Sequence, residues 1–405
     1  MMPNGWEDYP LSEITKWSSG GTPSKSNKEY WNGDIPWISA SSMRGHYYSD
    51  SDLKITELAV SEKAKMADKD NILLLVRGSM LWNKIPVGIT TRRVAFNQDV
   101  KCISPILSKL DIDFLLYWFL AKENQLMGMV TGTGIGAGKL DTNDLQSLNV
   151  LLPPLPEQQK IAKILSTWDK AISTTECLID NSSQQKKALM QQLLTGKKRL
   201  LDESGQRFEG EWEERAVSSL GKIYSGGTPS TSNTEYWDGD INWITPTDIT
   251  KQDSRYINSS LRKITLEGLE NSSAKLVPAG SLLICTRATI GAMAITSHEM
   301  CTNQGFKNIV PNSKTNIVFV YYLLTYNKHR MISKASGSTF LELSKTSFES
   351  MRFRMPPLKE QQKIATVLTN ADKEIELLKQ QLANLQQEKK ALMQVLLTGK
   401  KRVVV

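Results

Sequence analysis

A chain that repeats itself can only adopt folds that two like halves can share, and this one repeats in two separate blocks. Ser19–Trp37 (SGGTPSKSNKEYWNGDIPW) and Ser225–Trp243 (SGGTPSTSNTEYWDGDINW) agree at fifteen of nineteen positions, 206 residues apart. Trp6 and Trp212 keep the same offset, as do Asn97-Gln98-x-x-Lys101 and Asn303-Gln304-x-x-Lys307. A second block repeats at an offset of 203. PPLPEQQKIA (Pro153–Ala162) returns as PPLKEQQKIA (Pro356–Ala365), and KKALMQQLLTGKKR (Lys186–Arg199) returns at Lys389–Arg402 with one change. Between the blocks the copies diverge, and Met43–Lys69 shares almost nothing with Ile249–Lys275. The length of 405 residues thus divides into four segments: 1–152, 153–200, 206–355 and 356–402.

The duplicated second parts read as long helices. Pro154 and Pro357 mark their starts, because proline suits the first helical turn and disfavours helix in the residue before it. Gly196 and Gly399 fall where a left-handed cap would end them. In the second copy Leu368, Ala371, Ile375, Leu378, Leu382, Leu385, Leu392 and Leu396 alternate by three and four, with Lys389 in the skipped slot. That is a heptad seam. Leu165, Trp168, Ile172, Ile179, Leu189 and Leu193 hold the same register in the first copy, weakened by Thr175, Ser182 and Lys186. So narrow a stripe needs a partner helix, and the other copy is the simplest one. The expectation is an antiparallel coiled coil about a pseudo-twofold axis. The 38 residues from Glu157 to Leu194 would make a rod of roughly 57 Å. The alternative is that each helix packs on its own globular domain.

The first parts read as mixed α/β domains. Asn71–Val76 and Ser281–Cys285 are short apolar runs suited to buried strands, and Asp34–Ser39 and Asp240–Thr245 are strands after a Gly-Asp turn. Asp113–Met127 and Val318–Ile332 have helical periodicity. Gly20–Ser24 and Gly226–Ser230 are turns. The paired tryptophans (Trp6/Trp212, Trp31/Trp237, Trp37/Trp243) could stack on bases or pack inside the domains. Their place in the repeated framework favours packing. The fold class is therefore α+β or mixed: two α/β recognition domains and two long helices.

Composition excludes some classes. A content of 40% hydrophobic and 23% charged residues argues against disorder. No stretch reaches the ~18–20 apolar residues of a membrane span, and the first residues carry no basic-then-apolar signal. Four scattered cysteines fit a reduced, cytoplasmic protein rather than a disulfide framework or a zinc site. A net charge of +8 is compatible with a polyanionic partner. Part of it, however, sits in the repeated helix ends Lys197–Arg199 and Lys400–Arg402.

No catalytic constellation is present in the sequence. His46, His298 and His329 have no metal-ligand spacing, and Thr131–Lys139 (TGTGIGAGK) fits neither phosphate-loop pattern. Its counterpart Gly337–Leu343 keeps only the first glycine, so both read as flexible loops, with Lys139 or the loop backbone a possible phosphate contact. No methyltransferase, helicase or nuclease motif appears. The chain is expected to be a non-catalytic binder with no metal. Two related but unlike domains suit a target that is itself two-part and asymmetric, as duplex DNA with two half-sites is.

The order domain–helix–domain–helix, the SGGTPS…YW.GDI.W stretches, the PPL.EQQKIA openings and the KKALMQ.LLTGKKR endings together resemble the specificity subunit of type I restriction–modification enzymes, over essentially the whole chain. The resemblance implies two target recognition domains that each read half of a bipartite DNA sequence, with the helix pair as a ruler. It implies two modification subunits carrying S-adenosylmethionine and two restriction subunits using ATP and Mg, with no cofactor in this chain. It supplies no catalytic residues.

DNA contacts are expected from side chains that reach base edges or phosphates. These are Ser41, Ser42, Arg44, Arg77, Lys84, Arg92 and Arg93 in the first domain, and Thr247, Lys251, Arg255, Arg287, Thr289 and Lys307 in the second. Taken singly, each has the alternative of an ordinary solvated group. Gln158, Gln159, Gln361 and Gln362, at the helix starts, are expected to help seat the modification subunits, with solvated helix ends as the alternative. A protein–protein scaffold that touches DNA only incidentally is the competing function.

Overall fold

The computed structural model describes residues 3–404, apart from 63, 107, 135, 253 and 338–340. The chain forms two compact units. One comprises residues 1–176 with 380–405, and the other is the continuous stretch 177–379. Each unit therefore holds one α/β domain, the first half of one long helix and the second half of the other.

Each domain is built on a five-stranded sheet of the same topology. In the first unit the order is Thr15–Ser19, Val100–Pro105, Ile72–Leu75, Val87–Thr90 and Tyr47–Tyr48. In the second it is Gly221–Ser225, Phe306–Pro311, Leu282–Cys285, Met293–Thr296 and Tyr256–Ile257. All neighbours are antiparallel except the last pair in each sheet. Ile72–Leu75 and Leu282–Cys285 are buried at every position. This is why the expected apolar runs do not alternate with polar residues.

The expected helices form with an interruption. The helix α1 (Ile112–Ala121) is capped by Asp111, whose carboxylate accepts from Phe114 N–H at 2.9 Å, and a short helix Glu123–Gly128 follows. The first long helix, α2, spans Leu155–Leu193. In the second unit α3 (Ile317–Tyr326) is capped by Asn316 in the same way. The second long helix, α4, spans Leu358–Leu396. Gly196 and Gly399 take φ of +72° and +68°, the left-handed conformation that ends both long helices.

The divergent middles share more than their sequences suggest. Lys54-Ile55-Thr56 and Lys263-Ile264-Thr265 are the same strand end running into a short helix, 209 residues apart. Thr56 donates to the Glu29 carbonyl at 2.7 Å and Thr265 to that of Glu235 at 2.8 Å. A three-residue change of offset conceals one frame.

The tryptophans pack rather than stack on a ligand. Trp37 and Trp243 donate their indole N–H to the carbonyls of Gly21 and Gly227 at 3.1 and 2.8 Å. Trp31 and Trp237 meet them edge-to-face, with centroids 5.3 and 5.0 Å apart. The repeated GGTPS turn is thereby clamped onto its own domain.

The seam is present in both units. Every seam position named above is buried or half-buried, and most residues between them are exposed. Ile161, Ala162 and Leu165 of α2 join Met393, Leu396 and Leu397 in the first unit's core. Leu193 and Leu194 meet Ile364, Ala365 and Leu368 in the second. The two readings of the helices are thus combined, because the helix ends belong to the domain cores while the stripe between faces the other helix.

The lysines in the skipped slots are tethered. Lys389 pairs with Asp169 at 2.5 Å, and Tyr117 of α1 donates to the same carboxylate at 2.7 Å. In the second unit Lys186 pairs with Asp372, which also accepts from Tyr322 of α3 at 2.5 Å. Each triad ties a domain helix to both long helices of its unit.

Candidate nucleic-acid interface

The arginines singled out from sequence emerge at matching places. Arg77 follows the buried strand Ile72–Leu75 and is exposed. With Gly78 it forms a two-residue strand against Gly138–Lys139, placing Arg77 directly opposite Lys139. The glycine-rich stretch is thus a hairpin, Thr131–Gly132 pairing with Gly138–Lys139, rather than a loop without structure. Trp82, which the sequence reading passed over, donates to the carbonyl of Gly136 on that hairpin at 3.1 Å and stays 47% exposed. Arg287 follows Leu282–Cys285 and bridges to Glu342. Thr289 N–H donates to the Arg287 carbonyl at 2.8 Å around Ala288, whose φ is +60°. A three-residue turn closed at positive φ is rare and strained for a residue with a Cβ. Both Arg287 and Thr289 are exposed on it.

The other candidates divide. Ser41, Arg44, Lys84, Arg92, Arg93, Thr247 and Lys251 are exposed. Arg93 has Asp68 at 3.8 Å, a weak surface pair. Ser42 is half-buried, and its hydroxyl is occupied by the N–H and carbonyl of Ser39, both at 3.0 Å. Arg44 shares a shallow polar hollow with Asp50 and Asp52, which disfavours a phosphate there.

Four expectations need correction. Arg255 is not the free cation expected. Its guanidinium bonds the hydroxyls of Tyr322 and Thr369, the latter at 3.1 Å, and lies 3.4 Å from Asp372, so it reinforces the second triad. Lys307 is buried, 6% exposed, near the start of the sheet's second strand, where desolvation lowers its pKa and the charge of Glu342 partly offsets that. Gln158 and Gln361 are fully buried. Gln158 accepts from Asp111 N–H at 2.8 Å and donates to the carbonyls of Lys109 and Pro153. Gln361 does the same with Asn316, Lys314 and Pro356. They staple each helix start to its own domain and cannot seat a partner, whereas Gln159 and Gln362 are exposed.

The helix ends carry a latch that sequence reasoning missed. Glu360 is fully buried and takes a two-pronged bond from Arg199 at 2.7 and 2.8 Å and another from the Trp212 indole at 3.2 Å. Glu157, Arg402 and Trp6 repeat it in the first unit. The signal was available, since all three residue types recur in the repeated blocks. Among the described residues no group of three or more His, Cys, Asp or Glu could hold a metal, and no helix is long and apolar enough to cross a membrane.

The sequence model of the type I restriction modification DNA specificity domain matches residues 3–181 and again 209–387. The chain belongs to the type I restriction–modification DNA specificity family. Its two specificity domains begin 206 residues apart, the offset of the first repeated block. The putative type I restriction enzyme MjaX specificity subunit of Methanocaldococcus jannaschii is 28% identical, over 99% of this chain and 95% of that one. The MjaIX specificity subunit of the same organism is 38% identical over a shorter match, 42% of this chain and 40% of that one. Among solved structures, the type I S subunit from M. genitalium shares the fold, with a TM-score of 0.58 over 98% of this chain and 97% of that one at 15% identity. A chain from another type I system reaches 0.62 over 99% and 100% at 18% identity.

Proposed function

We propose that this specificity-family chain is the non-catalytic DNA specificity subunit of a type I restriction–modification complex and reads a bipartite, asymmetric duplex sequence. The observation that carries the reading is one sheet frame used twice with unlike tips. The strands, turns and tryptophan clamps correspond between the units, while the residues at the strand ends differ, as with Gly78 against Ala288 and Lys139 against Glu342. A frame repeated with different exposed chemistry suits two different half-sites. Modification subunits holding S-adenosylmethionine and restriction subunits using ATP and Mg would supply the chemistry, two of each, in the cytoplasm with the host DNA. Gln159 and Gln362 remain the helix-start residues free to meet them.

Arg77→Ala combined with Arg287→Ala tests the reading against a protein scaffold. Methylation of the target duplex is expected to fall by tenfold or more, given about 1–3 kcal/mol for one good base contact and the loss of a phosphate contact besides, while the complex with the modification subunits still assembles on a sizing column. Loss of assembly with unchanged DNA affinity would favour the scaffold instead.

A further inference from the structure

Lys139 and Glu342 are 203 residues apart, the offset of the second repeated block, so they occupy the same position in the two copies. Each is the antiparallel neighbour of its unit's exposed arginine, Arg77 or Arg287. The first unit thus sets two cations face to face, and the second a cation against an anion.

Like charges directly opposite on antiparallel strands repel. Lys139 is only loosely matched by Asp141 at 3.6 Å, both about half exposed. Among the described residues, the ion pairs of the first unit do not include Arg77. A phosphate between the two cations would relieve the repulsion. In the second unit Arg287 Nε lies 3.8 Å from Glu342. Glu342 is itself fixed by paired backbone bonds with Ser336 at 2.9 and 3.0 Å. An arginine already neutralised displaces fewer counterions when it meets a phosphate, and the carboxylate repels that phosphate. A guanine edge, which takes an arginine in two parallel bonds, competes better.

We infer that this single charge inversion divides the work between the domains. Arg77 with Lys139 anchors phosphate whatever the sequence, and Glu342 is a specificity-determining residue that holds Arg287 back from non-cognate DNA. The inference rests on the reading of the chain as a DNA specificity subunit.

The test measures affinity of the full chain, assembled with its modification subunits, for the duplex it methylates and for a scrambled duplex, from 0.05 to 0.2 M salt. Glu342→Gln is expected to tighten scrambled DNA by roughly three- to fivefold at the higher salt and to steepen the salt slope by about 0.9, the value of one phosphate contact. Target affinity should hardly change. Lys139→Gln should weaken both duplexes alike and flatten the slope by about 0.9. In an Arg287→Ala background the effect of Glu342→Gln should shrink to the relief of direct carboxylate–phosphate repulsion, a dependence that a merely structural role would not show. Unchanged scrambled affinity in Glu342→Gln, or an equal change for both duplexes, overturns the inference. A wild-type complex that binds both duplexes alike overturns the specificity reading with it. A discriminating wild type with unresponsive variants overturns this inference alone.

Discussion

Arg199→Ala is expected to destabilise the second unit by about 3–5 kcal/mol, because it strands a fully buried carboxylate. Glu360 has no exposed surface and would keep only the Trp212 indole as a partner. Arg199 also closes the helix end onto the following segment through the carbonyls of Gly210 and Glu209, at 2.8 and 3.3 Å. The loss is read as faster amide exchange through the first turns of α4 and a lower urea midpoint for that unit, since two units need not unfold together. Adding Glu360→Gln should recover much of the stability, because it removes the stranded charge rather than the packing. A loss below about 1 kcal/mol would mean that water reaches Glu360. The matching latch is more open, as Arg402 is 42% exposed. There, burial pushes the Glu157 carboxyl up, but the bonds from Arg402 and Trp6 outweigh this and hold it below the usual carboxylate range. Its contribution is therefore complete above the ordinary carboxylate pKa and is lost as pH falls through the lowered one.

Gly226→Ala should disrupt the second recognition domain, at a cost of about 3 kcal/mol or more. A Cβ there would fall on the carbonyl oxygen of Asn303 and the hydroxyl of Thr302, and the backbone oxygen belongs to the turn that leads into the sheet's second strand. Gly20 meets the carbonyls of Asn97 and Phe96 in the same manner. The first glycine of GGTPS is thus required for close backbone approach, not for a positive φ. Limited proteolysis and methylation should both show the damage, whereas Gly128→Ala, with open space around it, should be neutral or slightly stabilising. Wild-type resistance in Gly226→Ala would contradict the clamp.

The frame of the fold was legible because it rests on local signals: apolar runs for buried strands, heptads for the long helices, and the Gly-Gly turns; the Gly-Asp pairs, expected as turns, instead lie inside the strands Trp31–Ile38 and Trp237–Ile244. What sequence did not reveal depends on contacts between residues far apart in the chain. Arg255 looked like a free cation until the fold brought Tyr322, Thr369 and Asp372 to it. Gln158 and Gln361 sit on an otherwise polar helix start, and only the carbonyls of the preceding domain explain their burial. Lys307 occupies a strand position whose depth the sheet decides. Glu342 escaped notice because its pairing with Arg287 joins two segments whose copies have drifted to different offsets.

Mapping methylated adenines across the host genome by single-molecule sequencing, with and without this gene, tests the central claim most directly. The account predicts that one motif disappears with the gene and that it consists of two unlike half-sites separated by a fixed gap. Loss of no motif, or loss of a motif that is continuous or has two identical halves, would contradict it.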